Sequence, residues 1–272
     1  MTLGLGRRDV AVLVLLGVYA LPYGWQALTS LKPESELLRL PPVLPTRFTF
    51  EHYRVVFEQS LLPRALGNSL AIALTTTILV IVLGFLAAYA IARLPIPAKS
   101  WLLLGIVAAT AFPQIATVSP LYLIMRAFAL RDTWTALVLT HTALGLPLVI
   151  WLLAGFIREI PVELEQAAGL DGARRVAIFR WVVLPLAAPG IVSVALLTFL
   201  LSWNEFLYAY TFTATEASRT VPVALALFPG VFEVPWGDIA AASILTSLPP
   251  VLIVIALQPY LVRGLLAGSL KE

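Results

Sequence analysis

The sequence predicts an all-α membrane protein with six transmembrane helices. First, 60% of its 272 residues are hydrophobic and the mean hydropathy is +0.93, more apolar than a soluble fold of this size. Second, apolar runs long enough to cross a bilayer alternate with short segments that collect charges and prolines. Third, a single long polar interruption, Ile160 to Pro185, divides the second half. With Arg158 and Glu159 just before it, this stretch holds about a quarter of the charged residues.

In chain order, Arg7 and Arg8 precede an apolar run from Val10 to Leu28. The run is too long for a signal-peptide core and lacks an A-x-A-like cleavage site, so it reads as an uncleaved first span. Residues 31–64 carry five basic and four acidic residues with Pro33, Pro41, Pro42 and Pro45. They read as an external segment, with a short helix where Phe50, Tyr53, Val56 and Phe57 recur at helical spacing. Span two runs from Leu66 to Leu94, and Gly84, Ala87 and Ala88 offer a small-residue face for close packing. Span three, Trp101 to Phe128, contains Pro113, Gln114 and Pro120. Its prolines predict a bent helix, either lining a cavity or merely packing irregularly. After the Arg131-Asp132 turn, span four runs from Trp134 to Phe156 and holds His141, read as a hydrogen-bonded structural residue. Span five, Leu186 to Phe212, carries Trp203, Asn204 and Glu205. A proline- and aromatic-rich external loop, 213–237, precedes span six, Asp238 to Val262, which Pro249-Pro250 should break.

Within the polar interruption, Pro161 suits the first turn of a helix. Leu164, Ala167 and Ala168 follow at i, i+3, i+4 as one apolar face. Asp171-Gly172 predicts a turn, with Asp171 capping a second helix that begins near Ala173. Val176, Phe179 and Val183 form that helix's apolar stripe. The outer corner is lined by small residues, which let a partner surface approach the backbone.

Several function classes are excluded or disfavoured. The net charge of +3 gives no sign of nucleic-acid binding, and the absence of cysteine rules out disulfides and thiolate chemistry. His52 and His141, far apart in sequence, argue against a histidine metal centre. No GxxxxGK[ST] loop is present, so any ATP must be hydrolysed on another chain. No nucleophile–base pair supports a membrane enzyme.

The spacing Ala167-Ala168-x-x-Asp171-Gly172-Ala173, followed by Phe179, Pro185 and Pro189, resembles the cytoplasmic loop of ATP-binding-cassette (ABC) importer permeases, the EAA motif. That family's usual Glu falls on Gln166. Glu165 is adjacent, but one residue along a helix turns a side chain by roughly 100° and does not replace it. The Trp203-Asn204-Glu205-Phe206 run resembles a signature of carbohydrate-importer permeases. So do Thr46 to Val56, Ala87 to Leu94 and Arg158 to Pro161, and the likeness is closest to the smaller permease of maltose- and trehalose-type importers.

The resemblance implies a type I ABC importer permease fold, with a coupling helix between helices 4 and 5 and both termini in the cytoplasm of a prokaryotic inner membrane. Basic residues split ten inside to eight outside, so orientation rests on the resemblance. It also implies domains at 1–64, 65–262 (coupling loop 158–185) and 263–272. Gln166, Ala167, Ala168, Asp171, Gly172 and Phe179 would couple to two ATPase subunits, which bind the ATP and magnesium. A second homologous permease would complete the pore, and a sugar-binding protein outside would meet Phe228, Phe232 and Trp236. No cofactor or metal is expected on this chain.

Trp203, Asn204 and Glu205 fit a sugar path, because sugars need an aromatic face beside polar groups. Alternatively, Asn204 and Glu205 lock this helix to a neighbour. A rival reading is a proton-coupled secondary transporter using Glu205 or His141. It lacks the paired intramembrane carboxylates that proton relays use.

Overall fold

A computed structural model describes residues 6–37, 44–228 and 234–269. Their regular structure is helical: α1 (Arg7–Ser30), α2 (Glu34–Leu37), α3 (Glu51–Gln59), α4 (Leu62–Arg93), α5 (Lys99–Ala108), α6 (Gln114–Ala127), α7 (Trp134–Glu159), α8 (Val162–Leu170), α9 (Arg175–Ile178), α10 (Leu184–Trp203), α11 (Leu207–Phe212), α12 (Val221–Ala226) and α13 (Trp236–Ser269). Among the described residues, five helical runs are each long and apolar enough to cross a membrane.

A sixth crossing exists only if α5 and α6 count as one span, and they meet at 91°. The bend expected here from the prolines is present, and it is sharp enough to form an elbow. Phe112, preceding proline, is driven into extended geometry (ψ 130°) and Pro113 follows it (ψ 122°), which ends helical hydrogen bonding.

Span six departs from its expected break, since α13 runs through Pro249-Pro250 without one. Each proline removes one backbone donor, but its fixed φ remains helical, and long apolar flanks carry the helix on. Span five is the second correction. Helix continues from Arg175 through a π segment, Phe179–Val183, into α10, so Pro185 starts no new element. It then stops at Trp203, short of the expected Phe212.

The chain divides into two compact units. One comprises 1–66 with 224–249. Within it, the buried His52 ring joins the Asp238 carboxylate (2.6 Å) and the Lys32 carbonyl (2.9 Å). Gly237 lies so close to that ring that any β-carbon there would collide with it. Tyr53 bonds Ser30 (2.8 Å) and so ties α3 to the end of α1. From Val10 to Trp25 the large apolar side chains of α1 are exposed, as suits contact with lipid.

The second unit, 67–223 with 250–272, holds the principal core. Val80, Phe85 and Ala88 of α4 meet Val149, Leu153 and Ile157 of α7, with Val183 and Val194. The expected small-residue face is present. A β-carbon on Gly84 would come within 2.7 Å of Val149, so glycine sets this helix–helix approach. A second cluster forms around Ile72, Leu137, Tyr208 and Phe212. Outside the spans, Asp132 accepts from the Ala214 and Thr215 amides (2.8 and 3.0 Å) and from the Thr215 and Ser218 hydroxyls. Burial would raise its carboxyl, but these bonds hold it well below the usual carboxylate range.

Candidate functional site

The coupling segment is a helix, a corner and a second helix. α8 ends in a Schellman motif. The Gly172 amide bonds the Gly169 carbonyl and the Ala173 amide bonds that of Ala168, while Gly172 adopts φ +86°. Glycine is required there because a side chain strains that conformation. Among the described residues nothing lies within 4 Å of a β-carbon built on Gly172, so the corner is open.

Three expectations for this segment are corrected. Asp171 is the C-cap of α8 and does not cap the next helix. That helix starts at Arg175 behind Arg174, with no side-chain cap, because the Schellman turn spends the intervening residues satisfying carbonyls of α8. Pro161 sits one position earlier than expected, as the N-cap of α8. The Leu164-Ala167-Ala168 face is not the inward one. Leu164 and Ala167 are exposed, Ala168 is half-buried, and the Glu165 side chain is shielded on that helix. A buried ion pair replaces apolar packing, so hydrophobic spacing does not reveal the face.

Glu165 accepts from Arg93 Nε (2.5 Å) and from the Tyr89 hydroxyl (3.3 Å). Phe179 also points inward, its ring 5.4 Å from Phe85 and 5.1 Å from Tyr89. Gln166 and Asp171 stay exposed, with Leu170 at 91% and Val176 at 76%. Only the inner end of the expected stripe, Phe179 and Val183, packs. Tyr89 and Arg93 lie in the Ala87 to Leu94 stretch, which the sequence marks by resemblance without giving either residue a role. Their signal is an i, i+4 polar pair at the end of a long apolar helix.

The other site lies where α10 stops. Asn204 leaves the helix (φ −90°, ψ 1°), and the Glu205 carboxylate accepts from the Tyr208 and Ala209 amides (2.9 and 3.0 Å). Those amides would otherwise have continued the helix to the carbonyls of Asn204 and Glu205, so a side chain takes over the first turn of α11. Glu205 also meets His141 Nε2 (3.2 Å), whose Nδ1 lies 2.8 Å from Ser202 Oγ. His141 is thus hydrogen-bonded through both ring nitrogens, as expected of it.

A cavity of about 120 Å³ opens here, with Thr76, Gln114, His141, Thr198, Ser202 and Glu205 supplying its polar lining. The buried Thr76 hydroxyl has no hydrogen-bond partner among the described residues. Of the expected triplet, only Glu205 lines this cavity. Trp203 is buried in a stack with Phe199 (5.6 Å), and Asn204 is exposed and bonds back to the Leu200 carbonyl (2.8 Å). Phe228 is half-buried after α12, Trp236 is exposed at the start of α13, and Phe232 lies outside the described residues.

The family described as the binding-protein-dependent transport system inner membrane component matches residues 80–266. The chain belongs to that family. The permease is 44% identical over 260 residues to the trehalose transport system permease protein SugB of Mycobacterium tuberculosis, across 95% of this chain and 94% of the relative. It is 39% identical over 265 residues to the sulfoquinovosyl glycerol transport system permease protein SmoH of Agrobacterium fabrum, across 97% and 93%. In fold it is similar to a chain of a bacterial ABC transporter involved in the import of the acidic polysaccharide alginate. That likeness has a TM-score of 0.78 at 20% identity and covers 95% of this permease and 99% of that chain. The ABC importer permease fold expected from the EAA-like spacing is therefore borne out. The permease is a multi-pass membrane protein.

Proposed function

We propose that this permease is one half of a heterodimeric, ATP-driven importer for a disaccharide or related oligosaccharide of the trehalose or maltose type. A homologous permease completes the pore, two ATPase subunits dock on the coupling segment, and a sugar-binding protein delivers the substrate from outside. Both termini lie in the cytoplasm. ATP and magnesium belong to the ATPase subunits. Their closure moves the coupling segment, and the helices around the Glu205 cavity reorient to alternate access. The cavity's hydroxyls, amide and carboxylate suit sugar hydroxyls, while Trp203 holds the helix from behind. The relatives' trehalose and sulfoquinovosyl glycerol names support a glycoside substrate.

The observation that carries this reading is the surface of the coupling segment. Leu170 (91% exposed) and Val176 (76% exposed) flank an open glycine corner amid charged residues. Apolar side chains grouped on a polar segment mark a surface that a partner covers. Gln166 is neutral, so its contact there is a hydrogen bond and not an ion pair.

In the reconstituted complex, Gly172→Leu leaves the permease inserted and abolishes both sugar uptake and sugar-stimulated ATP hydrolysis. Normal stimulation in that variant overturns the docking reading. A sugar panel with the binding protein is expected to give its largest stimulation with trehalose or maltose. ATP depletion with the proton gradient intact is expected to stop uptake, the opposite of what a proton-coupled carrier shows.

A further inference from the structure

We infer that Arg93, Tyr89 and Glu165 form the link through which movement of the coupling segment reaches the membrane-spanning helix α4. This rests on the reading that the Gly172 corner docks an ATPase, and it names the residues on the other side of that contact.

α8 has no fully buried residue, so apolar packing contributes little to fastening it. Its inward hold is polar. Glu165 takes Arg93 Nε on one oxygen and the Tyr89 hydroxyl on the other. The side chains of Arg93 and Glu165 are only 11% and 12% exposed, so solvent does little to loosen the pair.

The same guanidinium donates through Nη2 to the Ile160 carbonyl, the C-cap of α7, at 2.8 Å. One planar, rigid fork thus holds the last residue of α4, the end of α7 and the body of α8. Tyr89, one turn earlier on α4, grips the other arm. Its ring lies edge-on to Phe179, which opens the π segment leading into α10. Two residues at i, i+4 therefore hold both arms of the coupling segment. Displacement of α8 is passed to α4 through these polar contacts.

The arrangement also explains why Glu165 does not stand in for the carboxylate missing at Gln166. It is already committed inward, while Gln166 faces out. Arg93 and Glu165 are positioning residues.

The test uses the complete transporter with binding protein and sugar, and compares Arg93→Gln, Glu165→Gln and Tyr89→Phe. Both Gln variants are expected to assemble with the ATPase and keep basal ATP hydrolysis within twofold. Sugar-stimulated hydrolysis should fall at least tenfold, and two- to fourfold in Tyr89→Phe. The chain has no native cysteine, so Arg93→Cys/Glu165→Cys bridged by a short bis-methanethiosulfonate spacer supplies a rescue. Bridging restores at least half of the stimulation, and a reducing agent removes it again.

Wild-type stimulation in assembled Gln variants overturns the inference. So does failure of both Gln variants to assemble, which makes the pair a folding element only. Gly172→Leu separates the two readings. If it abolishes stimulation while the Gln variants do not, docking stands and the link fails. If it too is normal, the docking reading itself has failed.

Discussion

The coupling segment and the Trp203–Phe206 break are both polar interruptions in apolar sequence, and they resolve in opposite directions. At the break, each oxygen of the Glu205 carboxylate accepts a backbone amide, one of them also meets His141, and Trp203 is buried. In the coupling segment one carboxylate, Glu165, turns inward, and Leu170 and Val176 are left uncovered. A polar interruption by itself does not say whether it serves the interior or a partner. The fate of its apolar neighbours does.

The largest effect expected from this contrast is that of Glu205→Ala. It leaves His141 and two amides without their acceptor, and costs about 3–5 kcal/mol of stability. A lowered melting temperature with reduced uptake is the readout, and an unchanged one would remove Glu205 from the inward-satisfied class.

Asp132 sharpens the comparison with a carboxylate satisfied outside the spans. Asp132→Asn should cost about 1–3 kcal/mol. Because the folded-state carboxyl is held down, its contribution is fully present above the unfolded carboxylate range and is lost only as pH falls through the lowered value. The melting difference between wild type and Asp132→Asn should therefore be constant from about pH 8 to 5 and shrink below about pH 4.

Leu170→Ser tests the outward region. The isolated permease should change by less than about 0.5 kcal/mol, while ATPase association weakens about tenfold in a pull-down titration. Unchanged association would mean that no partner covers Leu170. Smallest of all is Asn204→Ala, within about 0.5 kcal/mol and with near-normal transport, since its amide bonds only its own helix. A large transport loss there would return Asn204 to the sugar path.

Much of the fold was legible in the sequence because apolar run length reports membrane spans directly. Gly172 was legible because a positive φ has few solutions other than glycine. What escaped depended on partners distant in sequence. Asp171 has the side chain of an N-cap, yet the backbone bonds of the Schellman turn decide that it ends α8. The helix break at Asn204 is decided by where the Glu205 carboxylate goes. The inward face of α8 depends on Arg93, 72 residues away. Prolines read both ways: at 113 the expected bend is present, at 91°, while at 249–250 the expected break is absent and the helix runs straight on.

The π segment ahead of α10 has a consequence for phase. The Leu184 amide bonds the Phe179 carbonyl, five residues back, so this stretch holds one residue more than an α-helical path needs. Deleting one residue between Phe179 and Val183 would convert the bulge to ordinary helix. Everything on the coupling side would then rotate by roughly 100° relative to α10. The bulge thus sets the azimuth at which Val176 and the glycine corner are presented, a spatial setting held by residue count and separate from any side chain at the surface.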